Sequence, residues 1–421
     1  MHVPVWLLVA LVAAVVLLVL ALWSARAQRS TRVHLGSFER FPDLLTSISA
    51  LTNGWFVEGN AVRLLQNGEE FFPALLDAIH EAEDSIHLES YVWWKGDICF
   101  DVSAALAKKA KAGVEVRVLL DALGSMPADS KCMDDMEAAG VRLVKYHPVE
   151  LRALGRLNQR THRKLLVVDG RVAFVFSHGF AHQWMGCGDG PENWRDTGAR
   201  LEGPIVGHVQ AVFAQNWMEE TAEVIFGERY FPELSAAGDV RCQIVASRPS
   251  GGASSVSVLH KLMIAAADHE LLIQNPYFCP DHDMVRMLTE AAGRGVTVRV
   301  MVPGPVCDSR SVLHAGHFQF SKLLAAGVEI YEHQVTLIHQ KVLVVDDLWS
   351  HLGSTNFDER SFDINAEISL GMLDAGVAER LSAAFEDDLR SCRRLDLASW
   401  RRRGLVHRVL DAAAFLVHEQ L

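Results

Sequence analysis

Two histidines stand in the same short setting, His162-x-Lys164-x4-Asp169 and His339-x-Lys341-x4-Asp346, each just before or within an apolar run that reads as a strand. An imidazole can attack or protonate a phosphoryl group near neutral pH, and an ammonium two residues on can hold phosphate charge. With a spaced carboxylate the set suits phosphodiester chemistry. A single His-x-Lys is an ordinary surface pair, but two copies at matched places point to one site built from two halves.

The elements around these residues repeat as well. Gly113-Val-Glu-Val-Arg-Val-Leu-Leu returns as Gly295-Val-Thr-Val-Arg-Val-Met-Val, Ala138-Ala-Gly-Val-Arg-Leu returns as Ala325-Ala-Gly-Val-Glu-Ile, and the His-Lys-Asp pattern follows each. Three landmarks in one order at an offset of about 180 residues indicate a duplicated domain. In each copy a helical period of apolar residues (Phe100 to Ala112; Met284 to Ala292) runs up to a Gly and then a β-branched run.

Helix alternating with buried strand means α/β layers. Strands are expected near Ser85–Tyr91, Glu115–Asp121, Arg142–Tyr146, Lys164–Val168 and Val172–Phe176, then near Arg241–Val245, Leu271–Gln274, Thr297–Val302, Val328–Tyr331, Lys341–Val345 and Ala366–Leu370. Helices near Val206–Ile225 and Gly376–Arg390 would cover the sheets. The resulting division is 1–32, 33–240, 241–399 and 400–421: a leading segment, two similar α/β sandwich domains with pseudo-twofold symmetry, and a tail.

At 421 residues and 50% hydrophobic composition, a large core is readily built. Val3 to Trp23 is an uninterrupted apolar stretch of about 20 residues, enough for one transmembrane helix. Ala25-Arg26-Ala27 has the look of a signal cleavage site, but the apolar region is over-long and no Lys or Arg precedes it. Arg26, Arg29 and Arg32 follow it and put the body on the cytoplasmic side.

Seven scattered cysteines without Cys-x-x-Cys suit reduced thiols and give no zinc pattern. The net charge of −12 argues against a nucleic-acid partner, so any phosphate site must be local. The loop His147 to Arg160, longer than its counterpart, carries Arg152, Arg156 and Arg160; it is either an anionic-headgroup contact or a solvated basic loop. The tail leads from Trp400-Arg401-Arg402-Arg403 into apolar residues at a 3-to-4 spacing from Leu405 to Val417, a helix for an anionic membrane surface or for packing on the body.

The paired pattern is the signature of the phospholipase D superfamily, which the chain resembles over nearly its full length beyond the N-terminal segment. Gly59-Asn60, Asn67-Gly68-Glu69-Glu70-Phe71-Phe72, Asn275-Pro276-Tyr277-Phe278 and Gly353-Ser354-Thr355-Asn356-Phe357-Asp358-Glu359-Arg360-Ser361 look like bacterial cardiolipin synthases of the phospholipase D type. The resemblance implies a membrane-bound enzyme that passes a phosphatidyl group between two phosphatidylglycerols through a phosphohistidine and releases glycerol, in the bacterial inner membrane, with membrane lipids as partners.

His162 as nucleophile is implied by the resemblance alone. His339 would then be acid and base, and Lys164 and Lys341 would stabilise charge where other sites use a metal, so that no cofactor or metal is required. Asp196 and Glu367 occupy the family's positions for carboxylates that orient the histidines. Asp169 and Asp346 either join the catalytic set or, at strand ends beside a turn, bridge to the chain. Ser177, Ser354 and Asn356 fall where the family binds phosphate.

The first copy departs from the pattern: Phe176-Ser177-His178-Gly179 stands where the second has Gly353-Ser354-Thr355-Asn356. His178 is a candidate donor in place of the missing Asn. The same site could instead belong to a phospholipase D using water or another alcohol, or the chain could be an inactive membrane scaffold. A nuclease fits the acidic charge and the anchor poorly.

Overall fold

A computed structural model describes residues 4, 6–7, 9–14, 41–148, 156, 158–248 and 254–420. Most of Val3–Trp23, with Arg26, Arg29, Arg32 and Arg152, lies outside the described residues. Among the described residues no helix is long and apolar enough to cross a membrane.

In chain order the elements are α1 (Leu45–Thr52), β1 (Val57–Gln66), α2 (Asn67–Glu81), β2 (Ser85–Ser90), α3 (Asp97–Lys111), β3 (Glu115–Asp121), α4 (Ser130–Ala138), β4 (Arg142–Tyr146), β5 (Leu165–Val168), β6 (Val172–Phe176), β7 (Thr197–Glu202) and α5 (Ile205–Thr221). There follow β8 (Val240–Ser247), α6 (Ser255–Ala266), β9 (Glu270–Gln274), α7 (His282–Gly293), β10 (Thr297–Pro303), α8 (Arg310–Ala325), β11 (Glu329–His333), β12 (Val342–Val345), β13 (Trp349–Gly353), β14 (Glu367–Leu373), α9 (Ala375–Leu389), β15 (Cys392–Arg394), α10 (Leu397–Arg401) and α11 (Leu405–Phe415).

The strands form one mixed sheet in the order β15-β11-β10-β9-β12-β13-β14-β8-β1-β7-β6-β5-β2-β3-β4. Outward from the β1–β8 junction the two sides run in the same succession, with β15 added at one edge. On each side the helix-linked strands pair in parallel (β2-β3-β4 and β9-β10-β11), as crossovers require, and the others are antiparallel.

Local sequence explains the recurring landmarks. Four helices end in Gly-Val: in each the glycine N–H reaches back three residues and the valine N–H five, as in Val114 to Lys109 O and Val296 to Ala291 O. Gly113 and Gly295 take φ of +96° and +99°, which a side chain would oppose. The valine then enters the core and opens a buried strand. The runs Leu165-Leu-Val-Val and Val342-Leu-Val-Val are buried throughout because helices cover both faces.

Helices α2, α3 and α4 cover one face of the first side, and α1, α6, α7 and α8 one face of the second. A third core is shared: α5 and α9 pack there on strands from both sides, and β13 lies against β6 and β7. This shared core brings the two His-Lys segments together.

Candidate active site

Main-chain bonds tie each histidine to the opposite side of the molecule. His162 N–H donates to Ala366 O at 2.8 Å and Ala366 N–H to Arg160 O at 2.9 Å; His339 N–H donates to Arg195 O at 2.7 Å and Arg195 N–H to Leu337 O at 3.0 Å. Thr161 thus bridges in parallel to Ala366, and Ile338 to Arg195. Glu367, which opens β14, and Asp196, just ahead of β7, are thereby delivered beside the histidine of the other side. His162 Nδ1 lies 3.1 Å from both Glu367 oxygens, and His339 Nδ1 lies 2.8 Å from Asp196 Oδ2. A carboxylate only accepts, so each Nδ1 carries the proton and each Nε2 keeps its lone pair.

Burial lowers the His162 imidazole to about 4, with Lys164 and Lys341 adding to the shift and Glu367 opposing it. Burial, then Lys341, lowers His339 to about 3 against the pull of Asp196. For Asp196 burial would raise the carboxyl, but its His178, His339 and Lys341 neighbours hold it well below the usual range. Burial and then the Lys341 charge lower Lys164 strongly, while burial brings Lys341 to about 8 despite Asp196 and Glu367. Lys164 Nζ donates to His162 O at 2.9 Å; Lys341 Nζ donates to His339 O at 2.6 Å and sits 3.0 Å from His339 Nε2. An anion entering beside these groups would raise the pKa values of both histidines and both lysines.

His162, Lys164 and His339 line one cavity of about 270 Å³. Its wall is aromatic, with Tyr91, Trp94, Trp184, Trp194 and Tyr277, and its polar side holds Asn356, Asp358, Arg360, Ser361 and Asn365. Tyr91 meets the His162 ring edge-on at 5.2 Å, and Trp184 meets His339 at 4.9 Å. Neither group of metal-ligand-type side chains that converges among the described residues, His314/His317/Asp411 or His147/Glu219/Glu220, lines this cavity.

The family described as "Cardiolipin synthase, PLD-like domain" matches residues 75–217 and 261–389, one segment on each side. The chain belongs to this phospholipase D-like cardiolipin synthase family. It is 33% identical to cardiolipin synthase 2 of Bacillus anthracis over 83% of this chain and 68% of that protein. It is 32% identical to the major cardiolipin synthase ClsA of Bacillus subtilis over 89% and 78%. The crystal structure of phosphatidylserine synthase from Haemophilus influenzae shares the fold, with a TM-score of 0.70 at 13% identity over 89% of this chain and 99% of that one.

Of the two roles open to Asp169 and Asp346, the structure shows the bridge to the chain. Asp169 and Asp346 are not in the cavity. Asp169 accepts from the N–H groups of Glu83, Asp84 and Ser85 at 2.7–2.8 Å, and Asp346 from those of Asp268, His269 and Glu270 at 2.8–2.9 Å. With φ of +52° and +53° they end β5 and β12 and tie those ends to the starts of β2 and β9. Their catalytic assignment is corrected to a structural one.

Ser177 and Ser354 are likewise not phosphate-facing: Ser177 Oγ donates to Asp196 and Ser354 Oγ to Glu367. They hold the orienting carboxylates in place, and of the three expected phosphate ligands only Asn356 lines the cavity. Arg160 is buried, donating to His147 O and Arg156 O at 3.0 Å, so it is no headgroup contact. His178 stacks on Phe71 at 4.1 Å, behind the cavity lining.

The departure of the cardiolipin synthase motif in the first copy is compensated. Phe176 pairs across the strands with Gly198, whereas Gly353 pairs with Ser369. A Cβ built on Gly198 would lie 3.1 Å from Phe176 Cβ, and one on Gly353 would lie 3.0 Å from Ser369 Cα. The large and small partners have exchanged strands. At Gly179 a Cβ would fall 2.7 Å from the Trp184 ring, so Trp184 fills the room that Asn356 has on the other side. Its Nε1–H donates to Asp196 Oδ2 at 2.9 Å. The motif gave no signal for Trp184; Tyr91 and Tyr277, each just past the equivalent strands β2 and β9, were open to detection through the repeat.

Proposed function

We propose that this chain is a membrane-bound cardiolipin synthase. His162 Nε2 attacks the phosphorus of one phosphatidylglycerol; His339, which takes up a proton at Nε2 when the bound phosphate anion raises its pKa, gives that proton to the leaving oxygen as the P–O bond to glycerol breaks. The glycerol hydroxyl of a second phosphatidylglycerol, giving its proton back to His339, then attacks the phosphohistidine, and cardiolipin forms as the P–N bond breaks. Lys164, Lys341 and Asn356 hold the non-bridging oxygens.

The observation that carries this reading is the pair of crossed His–carboxylate contacts beside a cavity that both histidines line. Family membership supports phosphatidyl transfer, because the relatives above are named as cardiolipin synthases. Residues 33–240 and 241–399 are read as two domains that each give half the site. Val3–Trp23 is read as a single-pass anchor with Arg26, Arg29 and Arg32 on the cytoplasmic side of the bacterial cell membrane.

The test is labelled phosphatidylglycerol given to the purified full chain. Equal release of cardiolipin and glycerol, with an acid-labile phosphate trapped on the wild type and lost in His162→Ala, is expected. Phosphatidic acid as the sole lipid product would make the chain a phospholipase D. Lipid turnover unchanged in both His162→Ala and His339→Ala would remove the proposed mechanism.

A further inference from the structure

Helix α11 faces away from the body with its apolar side. A helix that only completes a core buries its apolar stripe. This one buries Asp411 and Phe415 and leaves Leu405, Val406, Val409 and Leu410 between 47% and 74% exposed. Its inner face is fixed: Asp411 pairs with His314 at 2.7 Å and Arg403 at 2.9 Å, and Phe415 stacks on Phe318 of α8 at 4.5 Å. The outward stripe is therefore not a loosely packed tail.

Two further observations say what covers it. Arg401, Arg402 and Arg408 are exposed around the stripe in a chain of net charge −12, so the apolar face carries a local positive rim. The segment after the helix is linked to the cavity lining through one residue: Asn158 donates to Gln420 at 3.0 Å, and Arg360, which lines the cavity, donates to Asn158 at 3.0 Å. Elsewhere on the lining, Trp94 donates to Gly124 O at 3.0 Å, beside exposed Leu123 and Met126. Exposed apolar residues thus neighbour segments bonded to the cavity lining at two places.

We propose that α11 docks on the anionic surface of a lipid monolayer, with its apolar stripe among the acyl chains and its arginines at the phosphates, and so holds the cavity mouth where a headgroup can enter it. The proposal rests on the lipid-substrate reading above. A second copy of the chain is a poorer occupant, because an isologous contact on this stripe would bring the same arginines together.

The experiment uses the full chain in phosphatidylglycerol vesicles, with an environment-sensitive fluorophore on Val409→Cys in a background where Cys187, Cys307 and Cys392 are serine. Quenching by lipids spin-labelled in the acyl chain is expected, and its absence overturns the proposal. In parallel, Leu405→Asp with Val409→Asp and Leu416→Asp should lower cardiolipin formation from vesicles about tenfold or more, while turnover of short-chain phosphatidylglycerol below its micellar concentration stays unchanged. Unchanged vesicle turnover overturns docking, as does a loss accompanied by conversion from a larger oligomer to a smaller one. If the triple variant fails to fold, the quenching result decides. Quenching in a wild type that turns over neither substrate would sustain docking and sink the catalytic reading instead.

Discussion

Glu367 opens the strand β14, far along the chain from His162, yet both its carboxylate oxygens lie 3.1 Å from His162 Nδ1. Asp196 holds His339 in the same way from the opposite direction. Each histidine therefore depends on the other side for its tautomer and ring orientation. Glu367→Gln keeps the shape but no longer requires a proton on Nδ1, and Asp196→Asn does the same to His339. Each is expected to lower kcat roughly a hundred- to ten-thousand-fold, with thermal unfolding little changed. Near-wild-type turnover in either variant would show that the crossed pairs are not needed.

The electrostatics set a direction for the pH dependence. Lys341, lowered to about 8, loses its positive charge as pH rises through that value. Asp358, pushed up to about 7 by burial, is neutral below 7 and gains negative charge above it. Both changes remove positive potential from a cavity proposed to take a phosphate anion, so kcat/KM should fall as pH rises past about 7 to 8. With substrate bound, the anion favours the protonated lysine, and the limb in kcat should lie at higher pH. Asp358→Asn is expected to move the kcat/KM limb upward toward that of Lys341; a flat profile from pH 6 to 10, roughly the span of the two groups, would contradict the assignment.

Asp169 and Asp346 separate stability from chemistry. Each carboxylate takes three backbone N–H groups at the start of a central strand, and Ala would leave those donors unpaired. Asp169→Ala or Asp346→Ala should cost about 2–4 kcal/mol, while Asp169→Asn, which tolerates positive φ and can still accept, should cost less. Turnover per folded molecule at low temperature should stay close to wild type. A large loss of kcat with an unchanged denaturant midpoint would return both residues to the catalytic set.

The residues that disclosed the fold were those whose local chemistry and tertiary role agree. The Gly-Val helix ends, the buried run before Asp169 and its copy before Asp346 each announce their structure within a few residues. β1, β7, β13 and β15 were not anticipated. β7 and β13 lie inside the sheet but carry polar residues such as Thr197, Ser350 and His351, whose partners are distant: His351 Nε2 meets Ser369 Oγ at 2.9 Å. The histidines, lysines and orienting carboxylates were legible as a set, but their exchange of partners was not, because it depends on the parallel bridges at Thr161 and Ile338. The α11 stripe was visible as a 3-to-4 spacing. Its outward direction was set by Asp411 and Phe415, which the spacing does not rank.

The exchange of Phe176 and Gly198 against Gly353 and Ser369 can be measured as a coupling. Gly198→Ser copies the second side into the first and drives a side chain against Phe176 Cβ and the Phe71 ring, each 3.1 Å from a Cβ built there. Overpacking of this kind should cost about 1–3 kcal/mol. Phe176→Gly alone opens a cavity beside Phe71, whose ring centroid lies 4.7 Å from that of Phe176. The double variant should then be less destabilised than the two single effects added together, by at least about 0.5 kcal/mol in urea unfolding. Simple additivity would mean that the two positions do not share the space between them.

Trp184 offers the sharpest test of how the first side manages without an Asn at Gly179. Its ring occupies the space beside Gly179, and its Nε1–H donates to the Asp196 oxygen that also holds His339, at 2.9 Å; the 3.3 Å approach to His339 Nδ1 is the weaker contact, since that nitrogen already carries a proton toward Asp196. Trp184→Phe keeps most of the aromatic wall and deletes the donor. Asp196 then loses one of the bonds that fix its direction, and His339 loses part of its aim. Because a lost bond to a charged acceptor is worth about 1.5–3 kcal/mol, kcat should fall roughly ten- to a hundredfold. KM should move less, since the contact reaches the substrate only through Asp196 and His339. Combining Trp184→Phe with Asp196→Asn should add little further loss, because both act through one histidine; full additivity would assign Trp184 a direct contact with substrate instead.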